Sequence, residues 1–397
     1  MKGKLTVLMI TAFVDMLGLA MIIPLLPFYA TKLGASATVV GVLIAAFSIA
    51  QLASAPLWGR FSDRYGRRPA LLAGLLVSAV AYMIFAYAST LWLLLLSRVV
   101  QGLGGGTIGV VQAYVADASD PKDRAKSLGW LSAATSFGAV VGPAIGSGLI
   151  HWGRHAPGIA SAIFCVLISI FAGVYLRESR EEAASSGEHG ILAETGSGAV
   201  WSVISRPKEP AQRLIWIYAI AIGAFYGTAP TLPLILAHRL PITESNVGFF
   251  VMYLGGMGVF VRAGLLGRMI EWLGEARLTR LGLVLLAAGL ALIAAVHSYS
   301  TLLMALTLMP LGTAFVFPCV TAMLSRVVPS RNRGLYMGVQ HTFGGVSRVL
   351  FPLAAGIAMD HLGLGFPFVI AGVLVLSTLL LTTSMEDYAA SRAPSMT

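Results

Sequence analysis

Long apolar runs alternate with short polar segments along the whole chain, and most of these runs are about twenty residues long. A run of that length crosses the roughly 30 Å hydrocarbon core of a bilayer as an α-helix. The pattern therefore predicts an all-α membrane protein with twelve transmembrane helices. The predicted spans are approximately 5–28, 39–58, 70–90, 91–116, 126–150, 157–176, 213–236, 244–266, 278–297, 300–325, 334–359 and 364–384.

The second half of the sequence repeats the first at an offset of 208–210 residues. The matching positions are Gly59-Arg60 and Gly267-Arg268, Asp63 and Glu271, Gly66 and Gly274, Pro143 and Pro352, and the pairs His151/Gly153 and His361/Gly363. This repetition predicts two parallel six-helix pseudo-repeats, with a substrate site near mid-membrane between them. The predicted domains are an N-terminal bundle (1–176), a cytoplasmic linker (177–212) and a C-terminal bundle with a short cytoplasmic tail (213–397).

The composition agrees with this assignment, because 57% of the residues are hydrophobic and only 11% are charged. Soluble domains carry about 25% charged residues. The formal net charge is +10, and the basic residues are unevenly distributed across the predicted membrane. Of the 27 Lys and Arg residues, 21 lie on the side that holds the N-terminus. Loops rich in Lys and Arg face the cytoplasm. We therefore expect an inner-membrane protein with both termini cytoplasmic, and no nucleic-acid partner.

One acid stands out among the 17, because Asp15 alone falls at hydrocarbon depth. It lies ten residues into the first predicted span, or about 15 Å deep at the helical rise per residue. A carboxylate at that depth faces a cavity, pairs with a cation or is protonated. Asp15 is therefore the candidate proton carrier; the alternative is a permanent ion pair with an Arg that only fixes helix packing.

Polar side chains also follow helical spacing in two spans, and a polar stripe of this kind lines water or protein. In span 4 the stripe contains Arg98, Gln101, Gly105, Gly109 and Gln112, and Arg98 is the candidate partner of Asp15. In span 11 it contains Gln340, Gly344 and Arg348, with His341 beside it. His341 is the second candidate proton carrier, or else a hydrogen-bonding group between helices. The predicted substrate cavity is lined by Gln51, Gln101, Gln112, Tyr226, Gln340 and Arg348.

The segment GRFSDRYGRRP at 59–69 resembles the loop signature of the major facilitator superfamily. The matching positions are Gly59, Asp63, Arg64, Gly66, Arg67 and Arg68. In that family the acid and its neighbouring Arg latch the two halves shut on the cytoplasmic face, and Asp117 looks like the span-4 partner of the latch. In the second half, Trp272, Glu275 and Ala276 replace the Arg positions, so we expect a weaker latch there.

Three further segments are similar to the drug/proton antiporters of this superfamily, those with twelve spans. RVVQG at 98–102 is similar to a span-4 motif whose Arg is tied to proton transfer. GAVVGPAIGSG at 138–148 is similar to the span-5 motif of exporters, and its positions are Gly138, Gly142, Pro143 and Gly146. FVDMLGLAMIIPLLP at 13–27 looks like the first span of tetracycline-type exporters, which carry an acid at the position of Asp15.

The resemblance implies a proton-coupled antiporter that exports small, largely hydrophobic compounds by alternating access. We expect a functional monomer that uses the proton gradient and needs neither a cofactor nor a metal. The alternatives on the same fold are a proton-coupled importer of small polar solutes, which the span-5 motif disfavours, and a lipid or glycolipid exporter. A membrane-embedded enzyme is the remaining alternative, but the spans contain no Ser/His/Asp or HExxH arrangement.

Overall fold

The computed structural model describes residues 2–120, 122–176, 196–207, 209–383 and 385, and these residues form helices joined by short loops. The predicted linker and tail lie partly outside this range. The α-helices are α1 (Lys2–Ile22), α2 (Leu26–Lys32), α3 (Ala37–Tyr65), α4 (Arg67–Ala86), α5 (Leu91–Gly105), α6 (Ile108–Asp117), α7 (Arg124–Leu149), α8 (Ala156–Tyr175), α9 (Gly196–Ser205), α10 (Pro210–Thr228), α11 (Leu232–Arg239), α12 (Val247–Phe260), α13 (Leu266–Ala294), α14 (Tyr299–Val327), α15 (Arg333–Leu362) and α16 (Phe366–Ser377).

The predicted fold class is confirmed. Ten helical segments of the described chain are long and apolar enough to cross a membrane, and Phe366–Thr382 is a shorter apolar helix. One of the ten, Val247–Ala294, is 48 residues long and contains a break at Gly274, whose φ of 74° and ψ of 161° are not helical. This break divides it into two spans, which gives twelve.

Several helices run beyond their predicted spans. The second span was expected over 39–58, whereas α3 continues to Tyr65. The apolar run ends with the hydrocarbon, but helical hydrogen bonds continue through the polar residues that follow. Gly66 ends the helix because its φ of 105° lies in a region that side chains other than glycine rarely adopt.

The two pseudo-repeats carry the same turns and the same helix crossings. Gly66 and Gly274, 208 residues apart, both have positive φ angles after a polar helical extension. In the first half, a Cβ built on Gly104 would lie 3.1 Å from the carbonyl oxygen of Gly74 on α4. In the second half, a Cβ built on Gly312 would lie 2.6 Å from the carbonyl oxygen of Gly282. Residues 208 positions apart in the sequence therefore make equivalent packing contacts in the two halves.

The described residues form two compact units. The first unit holds the residues up to 176 together with Ile242–Tyr253, and the second holds 196–241 and the residues from Leu254 onwards. In the first unit α1 packs along α7 and α8, while α4 packs along α5 and α8. In the second unit α13 packs along α14, and α10 packs along α15. Asp15 therefore lies on a helix held from two sides.

Candidate functional site

Asp15 lines a cavity of about 620 Å³ in the first unit. Four helices form its wall: α1, α4, α6 and α7. The lining residues are Thr11, Ala12, Asp15, Met16, Leu71, Ile108, Gly109, Val111, Gln112, Ala113, Ala116, Leu128, Leu131, Ser132 and Thr135. Asp15 is the one charged side chain among these lining residues, and most of the others are apolar. The structure thus places Asp15 and Gln112, two of the predicted site residues, at one cavity.

Helix α7 fixes the turn of α1 that carries Asp15. The Phe13 and Phe137 rings stack with their centroids 5.6 Å apart and their planes 22° apart. Beside this stack, the backbone of α1 approaches α7 so closely that a Cβ on Gly138 would lie 2.5 Å from the Phe13 carbonyl oxygen. Gly142 and Gly146 make the same kind of approach further along α1. The predicted span-5 glycines therefore form the surface of α7 against which α1, the helix that carries Asp15, packs.

Arg98 does not pair with Asp15 among the ion pairs of the described residues. It is 3% exposed, its Nη1 donates a hydrogen bond to Gln101 Oε1, and its guanidinium lies 5.0 Å from the centroid of the Phe47 ring. Arg98 and Gln101 are one helical turn apart on α5, so the guanidinium is directed along its own helix. The expected Asp15–Arg98 bridge is replaced here by a contact within α5.

Tyr82 on α4 is the residue that sequence reasoning missed. It is 2% exposed and packs against Gly18, one turn beyond Asp15 on α1; a Cβ on Gly18 would lie 3.3 Å from the Tyr82 ring. Its side chain lies near that of Gln101, and Tyr82 interacts electrostatically with both Asp15 and Arg98. A single tyrosine in an apolar span does not belong to a polar stripe, so helical periodicity does not single it out. The one available clue was a polar hydroxyl in an otherwise apolar segment.

The glutamines predicted to line one cavity lie at different places in the structure. Gln51 donates from Nε2 to the Gly105 carbonyl oxygen at 3.2 Å, which ties α3 to α5. Gln340 is fully buried in the second unit, and its amide hydrogen-bonds with the Thr321 hydroxyl at 3.3 Å. Gln340 therefore joins α15 to α14 and has no surface to offer to a substrate, in contrast to the sequence-based expectation. Gln112 is the glutamine that lines the cavity of Asp15.

The remaining predicted residues of the second unit cluster around aromatic rings. The Arg348 guanidinium lies 5.0 Å from the centroid of the Tyr226 ring. Tyr226 stacks with Phe317 at 6.4 Å and an interplanar angle of 19°. His341 meets the edge of Tyr218 at 6.3 Å. Arg348, His341 and Tyr226 are all exposed on the surface of the unit.

The loop signature forms a charged cluster at the junction of α3 and α4. Arg67 donates to Asp63 Oδ1 at 2.7 Å and to Asp117 Oδ2 at 3.1 Å, and it also donates to the Ser62 hydroxyl at 3.0 Å. The structure thus brings together the two acids that the sequence pattern singled out, through one guanidinium. Arg68 points elsewhere and donates to the Gly173 carbonyl oxygen on α8.

Arg64 and Gly59 are two further predicted members of this loop. Arg64 lies over the ring of Tyr65, 5.3 Å from its centroid. Gly59 lies in α3, where an added Cβ would meet no heavy atom within 4 Å. Gly59 is therefore not required by local packing within the described residues.

Comparison with known proteins gives a consistent result over the full chain. The chain is 29% identical to Multidrug resistance protein 1 of Bacillus subtilis (strain 168), over 96% of each protein. It is 26% identical to the class B Tetracycline resistance protein of Escherichia coli, over 91% of the chain and 90% of that protein. A solved POT family transporter in complex with 5-aminolevulinic acid shares the fold, with a TM-score of 0.77, 13% identity and coverage of 97% of this chain and 96% of its own.

The family model of the Major Facilitator Superfamily matches residues 8–288 and 214–396. Together the two matches take in both pseudo-repeats and nearly the whole sequence. The chain therefore belongs to the Major Facilitator Superfamily.

Proposed function

We propose that this protein is a proton-coupled antiporter that exports small, largely hydrophobic compounds by alternating access. The observation that carries the proposal is the cavity of about 620 Å³, which combines one carboxylate, Asp15, with a mostly apolar wall. An apolar cavity with few polar groups suits small organic molecules. The drug-resistance names of its full-length relatives favour export over import of polar solutes or transport of lipids.

Asp15 is the group that couples proton movement to substrate movement. It lines the cavity and also interacts electrostatically with Tyr82, which is buried on α4. A proton and a substrate that compete for one carboxylate exclude each other, and this exclusion exchanges one for the other. Arg98 is held by Gln101 in this arrangement and makes no ion pair with Asp15 among the described residues.

The wall favours neutral or cationic substrates on the side of Asp15, since the lining residues include no Lys, Arg or His. Met16, Leu71 and Leu131 are among the apolar residues that supply contact surface. Gln112, Ser132 and Thr135 add hydrogen-bonding groups that can orient different compounds. Burial of apolar area contributes about 25 cal/mol per Å² without directional demands, which suits a tolerant site.

The cellular setting is part of the proposal. We place the protein in the inner membrane with both termini and the Asp63–Arg67–Asp117 cluster on the cytoplasmic side, because Lys and Arg concentrate there. It acts as a monomer, takes its energy from the proton gradient, and requires no cofactor, metal or enzymatic step. The charged cluster ties the loop between α3 and α4 to the end of α6, and its rearrangement accompanies the change of access.

The decisive experiment compares wild type with Asp15→Asn in sealed proteoliposomes with an imposed pH gradient. Uphill accumulation of a fluorescent lipophilic cation should fall about tenfold or more in the variant, a change equivalent to about 1.4 kcal/mol. Downhill movement of the same dye should persist, because the cavity remains. Asp120→Asn is the matched control, since it makes the same chemical change at an exposed loop residue. Normal uphill accumulation by Asp15→Asn would refute the assignment.

A further inference from the structure

We infer that the second unit carries a separate recognition site for organic anions, specifically for flat aromatic compounds that bear a carboxylate. The site is an aromatic–arginine cluster, defined by Tyr218, Tyr226, Phe317, Arg262 and Arg348. The inference rests on the proposed export function and adds a substrate class to it. Asp15 and its cavity belong to the first unit and take no part.

The cluster is built around a stack of rings. Tyr226 and Phe317 lie nearly parallel, with an interplanar angle of 19°, and Tyr218 packs against Phe317 at 5.5 Å. Tyr218 is buried, whereas Tyr226 is 42% exposed. The buried ring therefore supports a platform whose outer ring remains available. Flat aromatic compounds stack on such a platform in offset geometry.

Two arginines lie at this platform, and neither has a carboxylate partner among the described residues. Arg348 lies over the Tyr226 ring, and both Arg348 and Arg262 interact electrostatically with Tyr218. The ion pairs of this unit, within the described chain, include Arg206–Glu209 and Arg326–Glu275. Neither involves the cluster, and the sequence places no acid at hydrocarbon depth in the second half. Cations at membrane depth are costly unless they face water or bind an anion.

The backbone that carries Arg262 is itself unusual. Val261–Leu265 forms a π-helical turn between α12 and α13, and Arg262 is exposed on it. A π-turn widens the helix by one residue per turn, gives up regular α-helical hydrogen bonding and occurs frequently at functional sites. Here it carries Arg262 on the surface of the unit, as a second guanidinium in addition to that of Arg348.

The ligand class follows from the chemistry of these groups. A guanidinium binds a carboxylate through two parallel hydrogen bonds, and it keeps that ability while stacked on an aromatic face. The cluster therefore matches a planar ring system for Tyr226 and Phe317, with a carboxylate at its edge for Arg348. An otherwise identical neutral compound would fill the platform but leave the guanidinium without a partner.

Equilibrium binding to the purified full-length protein in nanodiscs tests this assignment with two probes, naphthalene-2-carboxylate and its methyl ester. We expect wild type to bind the carboxylate more tightly than the ester. Arg348→Gln should weaken carboxylate binding about tenfold or more and change ester binding by less than about twofold. Arg348→Lys should give an intermediate loss, because it keeps the charge but not the paired hydrogen bonds. Arg333→Gln, at the first residue of the same helix, should behave as wild type.

Three results would overturn the inference: no preference for the carboxylate in wild type, an equal loss of both probes in Arg348→Gln, or no loss of either. Unchanged ester binding in Arg348→Gln also shows that the variant is folded. Because binding is measured without a pH gradient, its result does not depend on proton-driven transport. A wild type with the expected binding pattern but no proton-driven transport would refute the export function and leave the anion site standing.

Discussion

Replacement of Gly138 by Ala should destabilise the protein by forcing α1 away from α7. The added Cβ would lie 2.5 Å from the Phe13 carbonyl oxygen and 3.1 Å from the Leu17 amide nitrogen, whereas ordinary contacts begin at 3.4 Å. Helix α1 must therefore withdraw by about 0.9 Å at Phe13, which loosens dispersion contacts along the whole crossing. Overpacking of this kind costs about 1–3 kcal/mol. The displaced turn is the one that holds Asp15.

Gly148→Ala provides the matched control, because Gly148 lies on the same helix and an added Cβ there meets no heavy atom within 4 Å. That substitution should be neutral or stabilising by up to about 1 kcal/mol, since Ala favours the helix over Gly. The two variants should thus differ by about 1–4 kcal/mol in stability.

A thiol-reactive fluorophore added during heating measures the difference. Cys165 and Cys319 are both buried, so the dye reacts when the helices separate. With about 2–4 °C of midpoint shift for each kcal/mol in domains of 150–250 residues, Gly138→Ala should unfold several degrees below Gly148→Ala. Equal midpoints would show that α1 does not pack tightly on α7 at Gly138. They would refute the claim that this contact fixes the turn that carries Asp15.

Two further variants test other contacts of the first unit. Tyr82→Phe keeps the ring that packs on Gly18 but removes the hydroxyl beside Gln101, so proton-driven accumulation in proteoliposomes should fall about tenfold while downhill flux persists. Tyr29→Phe, which removes another tyrosine hydroxyl from the same unit, should spare accumulation; equal behaviour of the two would indicate a purely structural role for Tyr82. A double-mutant cycle of Arg67→Gln and Asp117→Asn, read by thermal unfolding, should give a coupling of about 0.2–1 kcal/mol, because both side chains are partly exposed. Additive effects would show that this ion pair makes no contribution.

The sequence alone determined the number of spans, the repeat and the loop cluster. Span length follows from the thickness of the hydrocarbon, so an apolar run of about twenty residues predicts a crossing whatever surrounds it. Gly66 and Gly274 were visible as matched positions, and both adopt the positive φ that ends a helix. The resemblance of the loop signature to the family's latch also pointed to Asp117 as its partner, and the structure pairs Asp117 with Arg67.

Only the tertiary structure decided which polar residues meet. Helical periodicity places Arg98, Gln101 and Gln112 on one stripe, yet Gln112 lines a cavity while Arg98 and Gln101 are buried against each other. Gln340 lies on a similar stripe and ends in a buried contact with Thr321. A 3.6-residue period fixes the residues that share a face, but the direction of that face depends on how neighbouring helices pack, and those contacts are set by side chains far away in the sequence.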